Sequence, residues 1–123
     1  MSLRSPLGRV LGLGSAKEGT GHWWAQRLSA VALVPLTLWF FYSLLLLPSF
    51  DYGAVHAWLT SSLNGFLTAL LVGVLAFHSD LGAAVIVEDY VHGTGLKLAL
   101  LLLLRFAHLA FGGAAIFAIA RIA

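Results

Sequence analysis

The sequence predicts an all-α membrane protein: three transmembrane helices, preceded by an N-terminal arm that lies at the membrane surface. Three observations predict it. Of 123 residues, 60% are hydrophobic and only 10% are charged, whereas a soluble domain carries about 25% charged residues. Three apolar runs, each of about 20 residues or more, are long enough to cross a hydrocarbon core about 30 Å thick. Between them stand Pro48-Ser49-Phe50-Asp51 and Gly93-Thr94-Gly95, which are breaker and turn residues.

Composition also narrows the function. The chain has no cysteine, so by itself it holds no disulfide, no cysteine-ligated zinc and no iron–sulfur cluster. There is no room for a separate soluble catalytic domain. The isoelectric point is near 9.4, yet the seven basic residues form no patch. They read as topology signals beside membrane lipid, not as a nucleic-acid surface.

Residues 1–27 form the arm. Its stretch from Met1 to Gly21 is rich in Gly and Ser and carries Arg4, Arg9 and Lys17. It is not a secretory signal, because the apolar run begins only after Arg27. Gly12, Gly14 and Gly19 fail as a phosphate loop, because Thr20 follows and no strand precedes. Trp23 and Trp24 suit the headgroup belt.

Residues 28–123 form the three-helix membrane domain, with spans at about 28–48, 57–89 and 96–120. The first contains Pro35, which should kink it, and Pro48 ends it. Ser49 or Asp51 can cap the next helix. From Ala54 to Asp89 the pattern reads as one long helix with an amphipathic beginning around His56, Trp58 and Asn64. The third run ends at Arg121, contains Arg105 and His108 three residues apart, and offers Gly112-Gly113 as a close-packing surface. Arg4, Arg9, Lys17 and Arg27 precede the first span, the first loop has no Lys or Arg, and the second adds Lys97. This bias predicts a cytoplasmic N-terminus, a cytoplasmic 88–97 loop and a periplasmic C-terminus. No internal repeat is visible, which argues against an inverted-repeat transporter.

Ala76 to His92 is the most informative stretch. His78 and Asp89 are eleven residues apart, which is three helical turns plus about 20°, so they share one face. Their axial separation is about 16 Å, roughly half a bilayer core. Gly82 lies on the same stripe and leaves space for something flat beside the helix. Ionisable groups inside a bilayer are costly and mark ligands or pathways. His78 is therefore a candidate ligand, and Asp89 with Tyr90 a candidate polar site at the surface. Counting inward, Asp80 and Arg105 both lie about 12–14 Å deep. They should pair or share a polar site, and His108 reaches the depth of His78 as a rival ligand. Arg27 reads from position alone as a topology anchor.

The residues Gly12-Leu-Gly-Ser-Ala-Lys-Glu-Gly19, His22-Trp-Trp-Ala-Gln-Arg27-Leu-Ser-Ala30, and His78 … Gly82 … Val85-Ile-Val-Glu-Asp-Tyr-Val-His92 resemble the hydrophobic membrane-anchor subunits of succinate dehydrogenase, respiratory complex II. The resemblance covers most of the chain, and its most specific element is the helical His followed eleven residues later by Asp-Tyr. It implies that His78 is an axial ligand to the iron of a haem b shared with a cytochrome b anchor subunit. It implies that Tyr90 and Asp89 help to form a ubiquinone site and that Arg27 meets a haem propionate. It further implies an iron–sulfur subunit and a flavoprotein subunit as partners, and a multi-pass location in a bacterial inner membrane. The chain would carry no succinate chemistry itself. The alternatives are the anchor of a quinol:fumarate reductase and a haem-free structural scaffold. Asp80 and Arg105 match no functional position that the resemblance places.

Overall fold

A computed structural model describes residues 19–122. Residues 1–18, with Arg4, Arg9 and Lys17, lie outside the described residues. The described chain is helical: α1 (Gly19–Leu45), α2 (Tyr52–Thr60), α3 (Ser62–Tyr90) and α4 (Thr94–Ile122). The three long helices are each long and apolar enough to cross a membrane, as the sequence predicts.

The boundaries differ from expectation in two places. The helix that carries the first span begins ahead of the apolar run. Helix α1 starts at Gly19, so the tryptophan segment and the span are one continuous rod. No breaker stands between Gly21 and Leu28 to separate them. Pro35 lies inside α1 and the helix continues past it to Leu45. The second region, expected to be one helix over 57–89, is divided at Ser61, whose φ of −63° and ψ of 123° are extended. Ser61 ends α2 and opens α3, and its carbonyl accepts from Gly65 N at 2.8 Å. Asn64 Nδ2 bridges the break by donating to Trp58 O at 3.0 Å. Serines compete with helical backbone bonding, and Ser61-Ser62 is where the chain turns.

Helix α3 is the middle element, packed against α4 on one side and α1 on the other. Its contact with α4 is close at Gly112, where an added Cβ would stand 3.0 Å from the Ala76 Cβ. Small residues at this crossing let the two backbones approach. The buried side chains are few: Leu71 and Leu81 on α3, and Ser29 on α1. Large apolar side chains such as Leu28, Phe41, Phe66 and Phe106 point outward. In lipid such faces carry no penalty, so a thin seam of contacts suffices to join the helices. Helix α2 leans on α1 through Trp58, which stacks on Trp39 at 6.0 Å between ring centres.

Asp51 is the N-cap of α2. Its Oδ1 accepts from Ala54 N at 2.8 Å, and Ser49 Oγ donates to its Oδ2. The Ser49 hydroxyl first, and the Ala54 amide second, hold the Asp51 carboxyl below the ordinary carboxylate range. A carboxyl lowered by folding stabilises the cap above its ordinary value and ceases to do so as pH falls through the folded value. The exchange protection of the Ala54 amide, relative to the unfolded chain at the same pH, should accordingly be high at neutral pH and fall in acid. The Asp51→Asn variant should keep its exchange protection nearly constant over the same acid range.

Candidate functional site: a histidine between two helices and a polar pair across a third

His78 faces α1. Its Nδ1 lies 2.8 Å from Ser29 Oγ, and its Nε2 lies 3.3 Å from Gln26 Nε2. The Ser29 hydroxyl has one proton, which it shares between Ala25 O at 2.8 Å and Gln26 O at 3.1 Å. With that proton on the α1 carbonyls, the hydroxyl accepts from His78 and the ring carries its proton on Nδ1. Nε2 is left with a lone pair, to which the Gln26 amide donates over a long contact. Gln26 and Ser29 are three residues apart on α1, so they present one face to α3. Ser29 is among the most buried residues described, 6% exposed.

The space beside Gly82 contains the end of Gln26. A Cβ on Gly82 would lie 3.6 Å from Gln26 Nε2. Gln26 Oε1 is buried and has no hydrogen-bond partner. An orphaned buried acceptor is costly, so this amide is weakly held. If it swings aside, the face of His78 that carries the lone pair opens next to a glycine.

Arg27 is not in this contact. It projects about 100° around α1 from Gln26, is exposed, and its guanidinium lies over the Trp23 ring at 5.3 Å. Asp89 and Tyr90 close the last turn of α3, on the helix that also carries His78. Both are exposed, Tyr90 to 79%. The turn beneath them is tied down, because Lys97 Nζ donates to Glu88 O at 2.8 Å and Val91 N donates to Val87 O. A lysine on these terminal carbonyls complements the negative end of the helix.

Asp80 follows His78 by two residues and so points to the other side of α3, toward α4. Arg105 Nε lies 3.2 Å from Asp80 Oδ2, the pairing predicted from matching depths. His108 joins this group rather than His78. Its Nδ1 donates to Leu104 O at 2.8 Å and lies 3.9 Å from Asp80 Oδ1. The two histidines share a depth but stand on opposite sides of α3, so they do not converge on one ligand. Among the described residues no group of three or more His, Asp and Glu side chains could hold a bare metal ion.

Gln26 and Ser29 escape a reading of the sequence as ligands or anchors. The available signal is that they are polar, three residues apart, and adjoin a run that is otherwise apolar.

The family of succinate dehydrogenase/fumarate reductase transmembrane subunits matches residues 1–119. A succinate dehydrogenase hydrophobic membrane anchor subunit of Paracoccus denitrificans is 36% identical over 110 residues, covering 89% of this chain and 84% of that one. The corresponding subunit of Rickettsia bellii is 32% identical over 104 residues, covering 83% and 82%. A succinate dehydrogenase membrane anchor subunit of Reclinomonas americana is 30% identical over 95 residues, covering 72% and 77%. No solved structure matches.

Proposed function

Because the chain belongs to the succinate dehydrogenase/fumarate reductase transmembrane subunit family, we propose that it contributes a haem ligand and a portion of a quinone site to a succinate:ubiquinone oxidoreductase. The chain is a three-span membrane anchor, and as a subunit it works with others of its complex. The observation that carries the reading is the bonding of His78. Its Nδ1 is committed to Ser29, while its Nε2 lone pair faces a weakly held amide with an orphaned oxygen. Neutral imidazole with the far nitrogen hydrogen-bonded is the form that ligates iron. The space beside Gly82 would open to a ligand once the Gln26 side chain swings aside.

The residues thus fit a haem b shared with a cytochrome b anchor subunit, which would supply the other protein ligand. When bound, the haem supplies a one-electron iron couple. His78 would hold its iron through Nε2, and Ser29 would keep the ring turned. Arg27, one residue beyond Gln26 on the exposed side of α1, would pair with a propionate.

Ubiquinone reduction takes two electrons and two protons. The electrons would come from succinate through the flavoprotein and iron–sulfur subunits. At the end of α3, the Tyr90 hydroxyl would donate a hydrogen bond to a quinone carbonyl, and Asp89 would orient that hydroxyl or relay a proton to it. Both groups are exposed at the helix end, where a peripheral subunit and a quinone head can reach them. The positive-inside bias supports a cytoplasmic position for this end.

The Tyr90→Phe variant tests the quinone site. Succinate-driven ubiquinone reduction should fall about tenfold or more, the effect of losing one hydrogen bond worth ~1.4 kcal/mol in the transition state. Succinate oxidation with an artificial dye acceptor should stay normal, because the soluble subunits are untouched. Unchanged ubiquinone reduction would remove Tyr90 from the site.

A further inference from the structure

The groove on the other side of α3 carries chemistry that the haem and quinone reading does not use. Arg105 is eleven residues from the start of α4 and seventeen from its end, about 16 Å and 26 Å along the axis. That places it inside the apolar span, level with Asp80. The Arg105 side chain is 62% exposed, whereas that of its partner Asp80 is 13% exposed. The Arg105 Nε stands 3.2 Å from the carboxylate. The terminal guanidinium nitrogens have no acceptor among the described residues. His108 is the converse case: with Nδ1 given to Leu104 O, its Nε2 is an acceptor without a donor among the described residues. Unspent donors and an unspent acceptor at mid-membrane depth are not stable against lipid, where charged groups face protein or water.

Below this polar end runs a cavity of about 440 Å³ between α3 and α4. Arg105, Leu109 and Gly113 line it at four-residue spacing along α4, opposite Gly73 and Phe77 of α3. Of the paired glycines on α4, Gly112 is spent on the crossing with Ala76. Gly113 is not, since a Cβ added to it meets nothing within 4 Å. The groove therefore has a small-residue floor that lets another backbone approach closely, and a polar end that needs hydrogen bonds.

We propose that this groove seats a transmembrane helix of another subunit of the complex. That helix brings an amide or hydroxyl side chain to Arg105 and His108. Such a group accepts from the guanidinium and donates to the imidazole at once, which a lipid tail cannot do. This seating requires only that the chain is one subunit of a membrane complex. It does not rest on the haem or quinone assignments, and the loss of either would leave it standing.

The chain has no cysteine, which makes a single-site probe clean. In membranes containing the intact complex, Gly113→Cys is labelled with a benzophenone maleimide and illuminated. The expected result is a covalent product with another subunit of the same complex, identified by its peptide masses. In an Arg105→Leu background the yield should drop several-fold, and Arg105→Lys should retain more of it than Leu does. A product with lipid alone, or only with a second copy of this chain, would overturn the proposal. A second variant reads the same surface without labelling. Gly113→Trp fits the open space of the free chain, and it should reduce the amount of partner subunit recovered per chain at least threefold. Full recovery with Trp in the groove would also overturn it.

Discussion

Replacing His78 with alanine should remove the b-type haem band from the purified complex while the chain still inserts in the membrane. The effect is expected to be nearly complete, because the proposed iron ligand is lost. His108 is the obvious substitute by depth, but it faces the Asp80 side of α3 and its Nδ1 is bound to Leu104 O. Insertion should survive, because α3 is long and apolar with or without the ring. A graded companion to this variant is Ser29→Ala. It leaves Nε2 in place but removes the acceptor that fixes the Nδ1 proton, so haem retention should weaken about 10–100-fold. Ser29→Thr, which keeps the hydroxyl, should restore most of it. An intact haem band in His78→Ala would show that the iron is held elsewhere.

The second large effect is expected at the pair across α3. Asp80→Leu or Arg105→Leu alone should cost about 2–3 kcal/mol of helix-association stability, below the ~3–5 kcal/mol of a fully buried pair because Arg105 is largely exposed in this chain. Each single change leaves one charge in hydrocarbon with no counter-ion. Asp80 without Arg105 keeps only the distant His108, 3.9 Å away. Arg105 without Asp80 loses its carboxylate counter-ion. Replacing both removes both charges and should cost less than either single change. A double-mutant cycle, read by denaturation in detergent, should show a coupling of about 3 kcal/mol, larger than either single cost. Simple additivity would mean that the two side chains do not depend on each other.

These two sites differ in how far the sequence discloses them. The three spans are legible because apolar runs of membrane length are unambiguous. Counting residues from helix ends places Asp80 and Arg105 at one level, and they do pair. The same count places His108 level with His78, yet the two face opposite sides of α3. Depth gives height along a helix but not the direction in which a side chain points. That direction is available from spacing, since His78 and Asp80 are two residues apart and must diverge by about 200°.

Ser29 and Gln26 lie in the tryptophan-arginine motif at the start of the first span, but their contact with His78 depends on how α1 crosses α3, which a single sequence does not encode. The break at Ser61 carries neither Pro nor Gly, and the tryptophan segment carries no breaker at all. The first hides a real boundary, and the second invites one where the helix is continuous. The space beside Gly82 is legible as a gap. Its occupation by the Gln26 amide is not, and that amide with its orphaned oxygen is the feature that most supports a ligand site at His78.

His78 Nε2 is the proposed ligand to the iron of a haem shared with a partner anchor. The most direct measurement is a reduced-minus-oxidised difference spectrum of the complex, extracted in mild detergent through a tag on this chain. A b-type band at one haem per copy of the chain is the expected result. A complex that retains its other subunits and succinate oxidation, yet shows no such band, would contradict it.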